Sequence, residues 1–281
     1  MAMTKKISFQ GELGAYSHLA CTNMFPDYEV VPCRDFRATL ACVSEGNADL
    51  AMIPVENTVA GRVADIHNLV GNSKLKIYAE HFENVKHQLI AKPGVEITAL
   101  KTVRSHAMGL GQCTKVIDAL NLQPIVMADT AGSAKYLSEQ GEEQECAIAS
   151  ELAAKIYKLN IVQTNIEDDP NNTTRFLVMS KNLQQEKDSK QEYLTSCIIE
   201  TKSIPSALYK ALGGFATNGV NMIKLESFII EGDFNKAQFY IELEGHLGEA
   251  SVAGAMEELK SYTNKLTILG EYPKHQYRSK S

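Results

Sequence analysis

Residues 182–192 read NLQQEKDSKQE, a run nearly free of apolar side chains. Ordering such a segment gains no burial to offset the lost chain entropy, so it reads as a solvated linker. It separates a region over 4–181 from a smaller one over 193–272, and the two differ in the order of their elements.

Upstream, short apolar runs alternate with helical patterns: Ile7-Ser8-Phe9, a helix from Ser17, residues 29–31, a helix, then Leu50-Ala51-Met52-Ile53. That alternation marks βα units on a parallel or mixed sheet. A second series runs through 85–91, Lys101-Thr102-Val103, a helix over 105–119, 124–127, a helix from Ala131 and Ala147-Ile148-Ala149. The last run, 176–179, follows the polar stretch DDPNNTT and is expected to return to the first sheet. Two α/β lobes with a cleft between them are the expectation.

Downstream, the pattern is strand 193–200, helix 206–217, strands 221–230 and 237–244, helix 249–262 and strand 265–269. The order βαββαβ is that of a ferredoxin-like α+β domain. Glu231-Gly232-Asp233 supplies a turn between the middle strands, and Pro205 stands where a helix should begin. So small a unit is expected to pair with a second copy, in a homodimer or homotetramer.

The net charge of −6, with Lys and Arg scattered, argues against a nucleic-acid surface, which needs a basic stripe. An anionic ligand would have to be met locally, by particular Arg residues and helix N-termini. The six cysteines form no C-x-x-C pair and no metal-ligand spacing, so reduced thiols and no metal are expected. Residues 1–10 hold no apolar leader and no run approaches a membrane span, which predicts a cytoplasmic protein without membrane contact.

In open α/β sheets, ligands meet the carboxyl ends of strands. The polar residues at those junctions are Ser17 after a glycine-bearing turn, Glu56-Asn57-Thr58 after an apolar run, Ser105 and Gln112, and Thr130-Ala131. Ser17, Ser105 and Thr130 also fit helix N-caps. His18, His67, His81, His87 and His106 are read as solvent or core residues rather than acids or ligands. The sharpest local feature is Asn172-Thr173-Thr174-Arg175-Phe176-Leu177, which sets a hydroxyl, a guanidinium and a ring side by side just before an apolar strand; such a group suits an anionic substrate.

Taken in order, FQGELGAYSHLA, DLAMIPVENTVAGRVADIHNLV, VRSHAMGLGQC, ADTAGSAKYL, CAIASELAAKIYKLNIV and NIEDDPNNTTRFLVMS resemble the prephenate dehydratase family over nearly the whole chain. The resemblance implies a two-lobed catalytic region like a periplasmic binding protein, with prephenate in the cleft and no cofactor. It carries catalytic roles onto Thr174, Arg175, Phe176 and Glu56, with Arg175 gripping a substrate carboxylate. Ser17, Asn57, Ser105, Gln112, Thr130 and Ala131 would line the cleft. The proton for the leaving hydroxyl would come from Thr174, from a protonated Glu56 or from a bound water. The second region resembles the family's ACT regulatory domain, which binds L-phenylalanine; Ala207, Leu208, Asn221, Met222, Glu226 and Ser227 would be its effector residues. The family's Gly-Ala-Leu stands here as Ser206-Ala207-Leu208, and its Glu-Ser-Arg-Pro as Glu226-Ser227-Phe228-Ile229, so the Arg-Pro pair is missing. A first strand this early leads to the expectation of a monofunctional enzyme without a chorismate mutase segment. Arogenate dehydratase and a non-catalytic small-molecule sensor are the competing readings.

Overall fold

A computed structural model describes residues 4–63, 66–181, 187–230 and 233–279. The chain divides into two units, Met1–Ala64 with His81–Phe176, and Asp65–Glu80 with Leu177–Ser281.

The first series of elements is β1 (Lys6–Gln10), α1 (Tyr16–Met24), β2 (Glu29–Cys33), α2 (Phe36–Ser44), β3 (Leu50–Asn57), the short β4 (Gly61–Arg62), α3 (Ile66–Asn72) and β5 (Lys76–Asn84). β1 lies parallel to β2 and β3, with Ile7 opposite Val30 and Leu50. Ile7, Phe9, Ala51, Met52 and Ile53 are fully buried, which is why their strands read as unbroken apolar runs. Asp35 starts α2 by accepting from Ala38 N at 2.7 Å.

The second series is β6 (Gln88–Ala91), β7 (Thr102–His106), α4 (Ala107–Gly111), α5 (Thr114–Ala119), β8 (Gln123–Met127), α6 (Thr130–Glu139), β9 (Glu145–Ala149), α7 (Glu151–Ile156) and β10 (Asn160–Gln163). Its sheet has the order β10-β6-β9-β7-β8, and Leu89, Val103, Cys146 and Ile148 fill the core on one side. The chain then returns as β11 (Thr173–Ser180), which inserts between β3 and β5 to give the first sheet the order β2-β1-β3-β11-β5. The expected return to the first sheet is therefore seen, and the α/β region has two lobes of the periplasmic-binding-protein-like type.

Two sequence readings are corrected. The run 85–91 is not one strand: β5 ends at Asn84 and β6, in the other sheet, begins at Gln88. The helix expected over 105–119 is broken. Ser105 and His106 complete β7, and the remainder splits at Gln112 and Cys113. The break is fixed from outside, because Asp168 accepts from Thr114 N at 2.9 Å and Lys115 N at 3.2 Å and so starts a new helix there.

The last elements are β12 (Tyr193–Thr201), α8 (Ala207–Thr217), β13 (Met222–Ile230), β14 (Asp233–Glu244), α9 (Ala250–Ser261) and β15 (Thr263–Pro273). The strands form a wholly antiparallel sheet, β13-β14-β12-β15, the ferredoxin-like arrangement expected. Cys197, Ile199, Ile241 and Leu243 pack with residues of α8 and α9. Ser196, Ile198, Tyr240 and Glu242 alternate with these and so face the other way. There α3 packs so closely that a Cβ on Gly71 would lie 2.6 Å from Ile198 Cδ1. Residues 182–186 of the linker and Glu231-Gly232 of the expected turn lie outside the described residues. Among the described residues no helix is long and apolar enough to cross a membrane.

Candidate active site

The end of β3 and the start of β11 are laced together by side chains. Asn57 Oδ1 accepts from Val59 N at 3.0 Å and Ala60 N at 2.8 Å, an Asx-type turn that fixes its amide. Its Nδ2 donates to Thr174 Oγ1 at 3.0 Å and to Asn172 Oδ1 at 2.7 Å. Thr173 N donates to Thr58 Oγ1 at 2.9 Å. With its oxygen accepting from Asn57, the half-buried Thr174 has its own hydrogen to give to a ligand.

Neighbours on a strand point to opposite faces, so Arg175 leaves the Thr174 side. Its guanidinium, 5% exposed, lies 3.0 Å from Glu56 Oε2. The hydroxyl and guanidinium that stand side by side in sequence thus face away from one another, and Glu56 is engaged by Arg175. Phe176 is buried on the Thr174 face, its ring 6.5 Å from that of His81.

Gln112, just past α4, reaches the same cluster. Its Oε1 accepts from Asn172 Nδ2 at 2.9 Å and lies 3.0 Å from His87 Nε2. The Tyr16 hydroxyl lies 2.8 Å from His87 Nδ1 and 3.0 Å from the Lys86 carbonyl. Burial lowers the His87 pKa and raises that of Tyr16, so both are neutral near pH 7.

The turn 11–15 bridges the lobes. Gly14 has φ +92°, and a Cβ there would stand 2.7 Å from Ala153 Cα, so both backbone and space require glycine. Gly14 N donates to His18 Nδ1 at 2.9 Å, and His18 stacks on Phe9 with ring centroids 5.3 Å apart. Tyr157 donates its hydroxyl to Leu13 O at 3.0 Å, and Lys135 pairs with Glu12 at 3.1 Å.

The three expected N-caps are corrected. The caps are Ala15, His106 and Asp129. Ser17 lies inside the first turn of α1, and Ser105 is buried in β7, donating to Ile148 O at 2.7 Å. Thr130 is the first residue of α6, whose cap is Asp129 accepting from Gly132 N at 2.6 Å, with Ala131 buried behind it. Ala15 makes no side-chain cap bond, so the first turn of α1 has amides to offer an anion beside Ser17.

Sequence reasoning picked Asn57, Gln112 and Thr174, which the fold brings together; it gave Asn172 no role of its own within the stretch 172–177, set His87 aside as a structural residue and assigned nothing to Tyr16. Their partners lie 25 to 115 residues away, and no local pattern carries such pairings. In the second unit, Glu226 on the edge strand β13 lies 2.8 Å from His67 Nε2 and 2.9 Å from Lys224 Nζ. Asn221 donates to Glu244 at 2.9 Å, Ser227 is exposed, Met222 begins β13, and Ala207 and Leu208 open α8.

Fold and site together define a two-lobed α/β protein with hydrogen-bond donors facing outward from the β3–β11 junction, carrying a ferredoxin-like domain. The family model of prephenate dehydratase matches residues 7–184. The bifunctional N-acyl-homoserine lactone acylase/prephenate dehydratase of Komagataeibacter europaeus is 41% identical over 274 residues, 98% of each chain. The chloroplastic arogenate dehydratase/prephenate dehydratase 1 of Arabidopsis thaliana is 35% identical over 282 residues, 95% of this chain and 72% of that one. The solved prephenate dehydratase of Arthrobacter aurescens in complex with L-Phe is similar with a TM-score of 0.88 at 28% identity, covering 96% of this chain and 90% of that one. The chain belongs to the prephenate dehydratase family.

Proposed function

We propose that this chain converts prephenate to phenylpyruvate, CO2 and water, a step of L-phenylalanine biosynthesis, in the cytoplasm and without a cofactor. The C–C bond to the ring carboxylate breaks, its electron pair enters the ring, and the C–O bond at the 4-position breaks as the hydroxyl takes up one proton. Aromatisation supplies the driving force. The protein has to hold the two carboxylates and assist the departing hydroxyl. The observation that carries this reading is the bond from Asn57 to Thr174, inside the stretch matched by the family model. It turns the Thr174 hydroxyl into a donor for the leaving oxygen. Gln112 adds a second polar group, and the open first turn of α1 beside Ser17 suits a carboxylate. Ser105, Thr130 and Ala131 act from behind the wall rather than by capping. Arg175 pairs with Glu56 on the opposite face of the strand pair, and this reading takes Thr174 or a bound water, rather than Glu56, as the proton's source.

The regions 4–181 and 193–272 act in this reading as catalytic and ACT regulatory domains. The effector is L-phenylalanine, held near Ala207, Leu208, Asn221, Met222, Glu226 and Ser227 in a homodimer or homotetramer. Its ammonium group would compete with Lys224 and His67 for Glu226.

The test is phenylpyruvate formation from prephenate at neutral pH, with arogenate as the control substrate. Wild type should turn over prephenate, and Thr174→Val should lose on the order of a hundredfold or more in kcat while Thr174→Ser keeps most of it. Faster turnover of arogenate would reassign the substrate; no turnover of either would leave a sensor. The relative named as bifunctional makes an N-acyl-homoserine lactone the further control, and release of homoserine lactone would end the single-activity reading.

A further inference from the structure

The amide of Asn57 can stand only one way round, because its oxygen is taken by the N–H groups of Val59 and Ala60. Its nitrogen therefore faces Asn172, which must answer with Oδ1 and turn its own Nδ2 to Gln112 Oε1. His87 Nε2 lies 3.0 Å from that same oxygen, so this nitrogen carries the hydrogen. His87 Nδ1 is then bare and shares the single hydrogen of the Tyr16 hydroxyl with the Lys86 carbonyl, 2.8 and 3.0 Å from that oxygen. A chain of bonds whose direction is set at the backbone thus runs from residues 59–60 to Tyr16, and it decides what Gln112 displays. The Gln112 oxygen is taken by two donors, whereas its Nε2 has no acceptor among the described residues. Thr174 is in the same condition, its oxygen accepting and its hydrogen available.

We infer that His87 and Asn172 are positioning residues that hold Gln112 with its amide hydrogens toward the substrate, beside the Thr174 hydroxyl. The site then offers hydrogens to oxygen atoms that carry or gain negative charge, and needs no reorganisation to do so. This rests on the prephenate reading, in which the ligand presents carboxylate oxygens and a departing hydroxyl. His87 does not touch the substrate in this scheme; it acts through Gln112.

The experiment uses the full chain with His87→Leu and Asn172→Asp, each alone and each combined with Gln112→Ala. Asn172→Asp keeps the shape but sets a carboxylate oxygen against Gln112 Oε1, so Gln112 must turn and show its oxygen to the site. Each single change is expected to lower kcat/KM for prephenate at least about tenfold, yet to cost less than about threefold once residue 112 is alanine, because the effect passes through that side chain. Equal losses in both backgrounds mean a merely structural role and overturn the inference, as do two single variants with unchanged turnover. Either variant suffices if the other does not fold. Side-chain 15N shifts of the wild type provide a readout apart from activity, with His87 expected to be protonated at Nε2 alone. Protonation at Nδ1 overturns the inference whatever the substrate, whereas a wild type inert on prephenate but protonated at Nε2 sinks only the substrate reading.

Discussion

Ser206 occupies the position where the family pattern has glycine, and it keeps the glycine conformation, with φ 61° just before α8 and no side-chain cap bond. A left-handed backbone is costly for a residue with a Cβ. Ser206→Gly is therefore expected to stabilise the fold by about 0.5–1 kcal/mol, read as a higher urea midpoint. Two histidines set a pH dependence. Burial holds the pKa of His87 and of His18 below the ordinary value. The unfolded chain takes up these protons near pH 6.5 while the folded chain does not, so stability is full above about pH 6.5 and declines below it. A series of urea melts from about pH 7.5 to 5.5 should show the decline, and His87→Leu should make it shallower. At this scale sequence revealed the residues that stand in motifs, Asn57, Gln112 and Thr174. It misled where adjacency was taken for proximity: Thr174 and Arg175 are chain neighbours, but a strand turns them apart.

Elements were legible where the core is continuous. β1 and β3 stand in sequence as apolar runs because both of their faces are covered, and β12 is buried from Tyr193 to Ile199. The break between α4 and α5 was not legible, since residues 105–119 look helical throughout and the group that starts α5 comes from Asp168. The Asp168 carboxylate also accepts from the Thr114 hydroxyl at 2.7 Å. Asp168→Ala should cost about 1 kcal/mol, the usual loss of an N-cap, measured by thermal or chemical denaturation. Because Gln112 sits between the two short helices and Asp168 N donates to its carbonyl at 2.7 Å, the variant should also raise KM for prephenate. An unchanged midpoint together with unchanged kinetics would show that the break does not depend on this carboxylate.

For the whole molecule, the last described turn matters more than its terminal place suggests. Arg278 donates to both oxygens of Glu80, at 2.8 and 3.0 Å, and lies 3.2 Å from Glu242 Oε2; both carboxylate side chains are 0% exposed. Removing the cation from buried carboxylates is expensive, so Arg278→Met should destabilise the chain by about 3–5 kcal/mol, seen in a denaturant melt. A melt that stays within about 1 kcal/mol of wild type would refute this. Nothing in the sequence announces the pairing, since Glu80 and Arg278 stand 198 residues apart. The same distance bears on inheritance. The family model runs from 7 to 184, yet residues 65–80 inside it fold with the C-terminal sheet, and α3 lies against Ile198 through Gly71. A crossover between genes at the polar gap would deliver a sheet without the helix that covers it, and a helix without its sheet. Exchange of the C-terminal module between relatives should thus succeed only when codons 65–80 travel with it, which makes the two regions one heritable piece despite the seam written between them.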